Sequence, residues 1–451
     1  IIFITKNFKN NFNSLIKKKN FKLVLIKNNF SRKKIVYDIN STKKICKKYK
    51  VDILIKDHYH LNHTWEKGIK KSVTKLVVID DFTKKRHFCD IIFNNLNNKN
   101  FNNSKKYSGL EYVIIPNRLD KTAIKRNFLT IGTFFGSSDN LNCTQNFLNV
   151  FSKNIFNNFK FISVLGKNNT RKKIIKRVFK NKKNFKIVDN YKKINGFLNK
   201  IDILVSSGGV ISFEALSSNK QCINAPINFY QKTNSVFQKK MNISNIFNYK
   251  DIKKKEGGRL LLKLLREKKN LNTQNDNKLY LDGKGSKRIS EILIPSKVND
   301  LSINKAKSLN DCKDLFKLHN EKEMIKNSFS QKEVSFKNHM KWFKKKIISK
   351  NFFIYIFRAK SLCVGQVRFD FTKNHNVLID YSISKIFRGR GWGKLMLEKA
   401  MNEIGKKKRL KYFQARVKKN NLKSMKVFES LFFLKKKRAK YTEFTKKFRQ
   451  N

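Results

Sequence analysis

Short apolar runs recur along the first part of the chain, with lysine-rich stretches of helical pattern between them. The runs are Ile1–Ile4, Leu23–Ile26, Ile53–Ile55, Leu76–Ile79, Leu129–Ile131, Phe161–Leu165, Phe185–Val188 and Ile201–Val205. Runs spaced a strand plus a helix apart predict βαβ units and parallel sheets. The series is too long for one sheet and divides near Asn117–Asn127, predicting two Rossmann-like domains over 1–122 and 123–294. Asp251–Lys269 reads as helical, and 295–304 (PSKVNDLSIN) reads as a linker. From 305 to 451 the pattern changes. Amphipathic helices over Asp311–His319 and Lys337–Ile348 precede antiparallel strands over Phe352–Phe357, Leu362–Phe369 and Val377–Ile383. The expected fold class is α/β, a pair of Rossmann-type domains, followed by an α+β domain.

Candidate chemistry sits where strands end. Ile201–Val205 runs straight into Ser206-Ser207-Gly208-Gly209, and Phe213–Leu216 then opens an apolar helix face. Strand, small-residue turn and helix start together aim backbone N–H groups at a phosphate, and glycine lets the backbone approach it. Glu214, one turn on, is placed to accept from the hydroxyls of a ribose. Leu129–Asn142 repeats the pattern through Gly136-Ser137-Ser138-Asp139. The alternative in each case is an ordinary strand–helix turn. In the first half, Val51–Lys56 ends at Asp57-His58-Tyr59, placing all three at a carboxyl edge. There His58 could act as a general base, or Asp57 could merely cap a helix. Asp80-Asp81, ending the next strand, reads as a cap and loop anchor.

Near the C-terminus, Arg388-Gly389-Arg390-Gly391-Trp392-Gly393 follows a strand and opens an apolar-faced helix. The R-x-x-G-x-G spacing surrounds a diphosphate with N–H groups.

The net charge of +72 would ordinarily point to nucleic acid. Here the lysines are spread over the whole chain and arginine is scarce beside them, so the charge reads as solvated faces and no nucleic-acid partner is expected. The six cysteines form no CxxC pair, which predicts neither zinc nor a disulfide framework. A reducing cytoplasm fits, no metal is expected, and no run is long enough for a membrane span. The chain opens on Ile1 inside an apolar run, which reads as a fragment, and a monomer is expected.

The series DHY…WE…IDD…GSSD…SSGGVISFE…YQ…LDGKGSKR resembles the UDP-sugar hydrolases of the pseudaminic acid pathway, over Ile1 to about Leu293. These enzymes release UDP from a UDP-diacetamido-trideoxyhexose with inversion. The resemblance implies the glycosyltransferase-B fold, with UDP held by the second domain through Gly136, Ser137, Ser207, Gly208, Gly209, Val210, Glu214 and Gln231. It implies that Tyr59 is catalytic, beside Asp57 and His58. Tyr230 stands where the family has asparagine. The family's opening strand and GxGHxxR loop, about 30 residues, are absent. Hydrolysis by this stretch alone is therefore expected to be weak.

The Arg388–Gly393 loop, with Ala415-Arg416-Val417 and Asn421-Leu422-Lys423-Ser424, resembles the GNAT N-acetyltransferases over about Ala306–Phe433. That implies acetyl-CoA as cosubstrate, bound by Ile383, Arg388, Gly389, Arg390, Gly391, Trp392, Gly393, Lys394, Asn421 and Ser424. The series Asn320…Ser328-Phe329…His339…Trp342…Gly365-Gln366-Val367-Arg368 is closest to the amino-sugar acetyltransferases of the same pathway. It implies that His339, Gln366 and Arg368 grip a UDP-amino-sugar. Phe428 stands where many members carry a tyrosine acid. The alternatives are a glycosyltransferase fused to an acetyltransferase of another amine, such as a protein N-terminus, and a non-catalytic basic binding protein.

Overall fold

The computed structural model describes residues 1–6, 12–26, 34–58, 60–80, 86–94, 104–116, 128–189, 194–267, 276–372, 376–406 and 410–448. The first module comprises β1 (Ile2–Lys6), α1 (Asn13–Lys18), β2 (Lys22–Ile26), α2 (Lys34–Lys48), β3 (Ile53–Lys56), α3 (His63–Lys70), β4 (Lys75–Ile79), β5 (Ile91–Asn94) and β6 (Lys105–Ser108). β1 and β2 form a parallel pair, and β3-β4-β5-β6 a separate parallel sheet in chain order. The two-residue period of a strand sends neighbours to opposite faces. Leu76 and Val78 pack with Trp65 and Ile69, whereas Val77 faces Ile91, Phe93 and Tyr112. β5 was not among the runs anticipated, although all four of its residues are buried.

The second module comprises β7 (Leu129–Phe134), α4 (Cys143–Phe151), β8 (Phe159–Leu165), α5 (Lys172–Phe179), β9 (Phe185–Asp189), α6 (Ile194–Leu198), β10 (Ile203–Ser206), α7 (Val210–Ser217), β11 (Gln221–Asn224), α8 (Phe229–Lys240), β12 (Asn245–Ile246), α9 (Gly257–Arg266) and α10 (Gly285–Leu293). All six strands are parallel, in the order β12-β11-β10-β7-β8-β9. The chain starts at β7, winds outward to β9, then returns to β10 and winds the other way. This is the doubly wound order, with its switch point between β7 and β10.

The third module comprises β13 (Ser302–Lys305), α11 (Leu309–His319), α12 (Lys322–Asn327), α13 (Phe336–Ile347), β14 (Phe352–Ala359), β15 (Leu362–Phe371), β16 (Val377–Ile383), α14 (Trp392–Gly405), β17 (Tyr412–Lys418), α15 (Leu422–Ser430), β18 (Leu434–Lys437) and β19 (Tyr441–Lys447). Its strand order is β13-β14-β15-β16-β17-β19-β18, antiparallel except where β16 meets β17. Ser302–Asn304, expected as linker, belong with Lys305 to an edge strand paired with β14. Its polar, alternating sequence hid it because an edge strand needs only one partner.

A buried ionic knot joins the modules at Leu281–Arg288. Asp282 accepts from Arg288 at 2.8 and 2.6 Å and from Lys317 of the third module at 2.7 Å. Arg288 also donates to the Glu111 carbonyl of the first module at 3.0 Å. Gly285 is required there, since a Cβ would lie 2.2 Å from the Val113 carbonyl oxygen. Burial alone would raise the pKa of Asp282, but Arg288 and Lys317 hold it far below the ordinary carboxylate range. The stabilisation is therefore complete above about pH 4 and declines as pH falls toward the depressed folded value. Asp282→Ala strands two cations and should cost roughly 3–5 kcal/mol in urea unfolding. It should also flatten the acid limb of the stability curve. A loss within experimental error would show that the knot does not hold the modules.

Candidate functional site

In the third module, β16 and β17 pair only over Val377–Ile379 and Phe413–Ala415. β16 then follows β15 to Ile383, while β17 follows β19 to Lys418. Two parallel strands that part in mid-sheet leave a wedge. It opens into a cavity of about 310 Å³, lined in part by Asp380, Tyr381, Arg416, Ser424 and Phe428.

The Arg388–Gly393 loop leads into α14. Gly389 and Gly391 have φ of +78° and +75°, and nothing lies within 4 Å of a Cβ at either. It is the left-handed backbone, rather than space, that calls for glycine. Gly391 caps α14 and has no side chain to satisfy the first N–H groups. Trp392 is buried and stacks on Phe387, so its contribution to the loop is its backbone. Gly393 packs on Ile383 and Tyr381, and Lys394 is half-exposed beside Glu398. Asn421 caps α15 by accepting from the N–H of Ser424 at 3.2 Å.

Both loop arginines are engaged by protein groups. Arg388 donates to Glu321, to Glu323 at 2.7 Å and to the Ile383 carbonyl at 2.8 Å. Arg390 donates to Glu291 of the second module at 2.6 Å and to the Ile386 carbonyl at 2.7 Å. Their guanidinium groups brace the loop, so of Arg388 and Arg390 it is the backbone that the expected donor site would use. Burial alone would raise the pKa of Glu291, but Ser296 and Arg390 hold it below the usual range. No sequence signal pointed to Glu291, Glu321 or Glu323, because each acts across a large separation in the chain.

His339, Gln366 and Arg368, expected to contact substrate, line the same cavity. His319 and Asp380 join them and were missed. Gln366 donates to Asp380 at 3.1 Å, and Arg368 lies 3.3 Å from the same carboxylate. The buried Nε2 atoms of His319 and His339 and the Nε of Arg368 have no hydrogen-bond partner. Unpaired buried polar atoms are costly, and here they converge on one cavity.

In the second module, the Gly208 loop leaves the switch point with φ +81°. A Cβ on Gly208 would lie 2.2 Å from the Ser235 hydroxyl. Gly209 caps α7 without a side chain, and Val210 is exposed at the helix start. Behind the loop, Ser207 is buried, and Ser212, Gln238 and Asn224 form a chain of hydrogen bonds at 2.8 and 2.7 Å. Glu214 is half-buried, its Oε2 has no partner, and burial raises its pKa. Gln231 is occupied in part, accepting from the Ile227 N–H at 3.0 Å. The second expected phosphate loop differs. Asp139 accepts from the N–H groups of Cys143 and Thr144 at 2.8 and 3.0 Å, which closes the start of α4. Gly136 and Ser137 instead pack their carbonyls against Gly166.

In the first module, Asp57 and His58 are exposed at the end of β3, and Tyr59 lies outside the described residues. The Nδ1 of His58 accepts from the N–H groups of His60 and Leu61 at 3.2 and 3.3 Å. Neutral His58 therefore presents Nε2–H, a donor, and is not poised as a base. Beneath it, Lys56 donates to Glu66, and His87 bridges Glu66 at 2.8 Å and Asp80 at 2.7 Å. Asp80 is thus an anchor, as expected. Burial alone would lower the pKa of His87, but Asp80 and Glu66 raise it above 6.5. Among the described residues no cluster of His, Cys, Asp or Glu could hold a metal ion, and no helix is long and apolar enough to cross a membrane. All six cysteines are free thiols.

Residues 301–433 match the family model of the acetyltransferase (GNAT) domain. A spermidine N-acetyltransferase from Vibrio cholerae, solved with CoA and spermine, is 14% identical over 33% of this chain and 94% of its own, with a TM-score of 0.30. A domain from Methanocaldococcus jannaschii is 23% identical over 33% and 98%, with a TM-score of 0.30. A ribosomal-protein-alanine N-acetyltransferase from Brucella melitensis is 16% identical over 33% and 99%, with a TM-score of 0.29. Comparison with curated proteins gave no match. The third module is a GNAT acetyltransferase domain, and acetyl-CoA is the acetyl donor of that family.

Two outcomes follow from the site geometry. Gly391→Ala forces a left-handed alanine at a cost of roughly 1–2 kcal/mol, so calorimetry should show acetyl-CoA binding about tenfold more weakly. An unchanged affinity would mean that the loop is not the donor site. His87→Leu should destabilise the first module most at low pH. A raised folded pKa gives stability that is full below the unfolded value and lost as pH rises through the folded one. Urea unfolding at pH 5 and pH 9 checks this.

Proposed function

We propose that the chain is a bifunctional nucleotide-sugar enzyme. Its C-terminal domain transfers acetyl from acetyl-CoA to the amino group of a UDP-linked amino sugar. Its N-terminal pair of modules holds the resulting UDP-2,4-diacetamido-2,4,6-trideoxyhexose and cleaves it to free sugar and UDP. The observation that carries this reading is the switch-point loop of the second module. There, the uncapped start of α7 follows Gly208 and Gly209, and Glu214 offers a carboxylate oxygen without a partner. A uridine diphosphate needs those two features: N–H groups for the phosphates and an acceptor for the ribose.

In the cleavage step, water attacks the anomeric carbon and the diphosphate departs. The helix start stabilises the charge that develops on the leaving group. With the Nδ1 of His58 occupied by backbone N–H groups, Asp57 is the carboxylate this reading assigns as base; burial raises its pKa while His58 lowers it. In the acetyl-transfer step, Asp380, braced by Gln366 and Arg368, draws an ammonium into the wedge. His339 and Arg368 orient the nucleotide sugar.

The test is chromatographic. The whole chain is incubated with the UDP-linked diacetamido sugar, and UDP release is followed. Release should be measurable and should fall by about 10²-fold in Asp57→Asn, while acetyl-CoA binding is unchanged. If the sugar nucleotide stays intact while acetyl-CoA still binds, the cleavage assignment fails and the acetyltransferase stands alone.

A further inference from the structure

The donor loop and the wedge leave the proton transfers of acetylation without owners. An ammonium must lose a proton before its nitrogen attacks the thioester, and the departing sulfur must gain one. Phe428, at the position the resemblance would give to a tyrosine acid, has no hydroxyl. Its ring is buried and meets the Tyr381 ring edge-on, with centroids 5.7 Å apart. Tyr381 reaches across from β16 toward Ser424 on α15, and both line the cavity. The hydroxyl missing from α15 is thus supplied from the strand that faces it.

Two histidines line the same cavity. The Nε2 atoms of His319 and His339 are buried without a partner. In the tautomer with its proton on Nδ1, a neutral histidine presents the lone pair of Nε2. His339 is the more enclosed, packed on Phe316 and Trp342, and burial lowers its pKa to about 4. His319 is half-buried at the end of α11. The groups facing it are Arg368 of β15, Asp380 of β16 and His339 of α13. Burial first and Arg368 next lower its pKa below 6.5, so it is unprotonated at neutral pH. Burial raises the pKa of Tyr381 to about 12, so it keeps its proton.

We infer that His319 is the general base and Tyr381 the general acid of acetyl transfer. This rests on the reading of the third module as an acetyl-CoA-dependent N-acetyltransferase. The amine nitrogen bonds to the acetyl carbon and the carbon–sulfur bond breaks. The ammonium gives one proton to solvent through Nε2 of His319 before it attacks, and a second passes from nitrogen to Nε2 of His319 as the amide forms, while the Tyr381 hydroxyl gives its proton to the CoA thiolate. Solvent takes both protons from His319 and returns one to Tyr381. An ammonium becomes an amide, a thioester becomes a thiol, and one proton is released.

The experiment uses the whole chain, with CoA release followed by a thiol reagent and acetyl-CoA binding followed by calorimetry. The acceptor probes are the UDP-linked 4-amino sugar, spermidine and an alanyl peptide. With the best acceptor, Tyr381→Phe should lower kcat by about 10²-fold or more, with acetyl-CoA affinity within twofold of the parent. Adding Phe428→Tyr should restore part of the loss by returning the hydroxyl from α15. His319→Gln should change the pH profile as well as the rate. The parent kcat/KM should level off once His319 is deprotonated, below pH 6.5. The variant should keep rising with pH, because only amine already free of its proton can react. Loss of less than threefold in Tyr381→Phe, or an unchanged profile in His319→Gln, overturns the pair. If the parent binds acetyl-CoA but releases no CoA with any probe, the acetyltransferase reading falls and the pair falls with it.

Discussion

The organising constraint is the helix start that cannot cap itself. A helix leaves its first N–H groups without partners, and most helices answer with a serine, threonine, aspartate or asparagine. α14 and α7 answer with glycine. In each case a glycine with positive φ in the preceding loop turns a parallel strand sharply into the helix. α4 makes the opposite choice. It begins at the same sheet edge, yet Asp139 fills its N-terminus. The contrast separates a helix start left without a side-chain cap from one that is already satisfied by a carboxylate.

The charges nearest these loops serve architecture before chemistry. Arg388 and Arg390 are the most conspicuous cations of the donor loop, and carboxylates hold both. Because Glu291 is buried on α10, bracing the loop also couples it to the second module. The Asp282 knot lies on the same segment and reaches the first and third modules. One short stretch, 281–296, therefore closes the second sheet, packs Ile289 and Leu293 on the first, and steadies the acetyl-donor loop of the third. This gives a physical reason for the modules to remain in one chain: the donor loop is braced from outside its own domain.

Much of the scaffold was legible because apolar periodicity is a local signal. β7–β10 of the second module and β14–β16 fall where the runs lie, and the positive-φ glycines Gly208, Gly389 and Gly391 were readable from strand–glycine–helix order. Elements whose partners are remote were not readable. β13 is a polar edge strand whose only cue is its pairing with β14. His319 looked like any helix-terminal histidine until the fold placed it in one cavity with Arg368 and Asp380. His58 looked like a base until its Nδ1 was seen to accept from two backbone N–H groups. Tyr381 carried no signal beyond its place in a strand, and only the fold brings it against Phe428. Sequence spacing shows where a turn will be, but it does not show which atom of a side chain is already occupied.

Hydrogen exchange by mass spectrometry on the whole chain, with each nucleotide ligand added in turn, tests the central claim most directly. Acetyl-CoA should slow exchange at the amides of residues 389–394 and leave 208–214 unchanged, and UDP should do the reverse. Protection at neither helix start, or the same protection pattern with both ligands, would contradict the assignment of two separate diphosphate cradles.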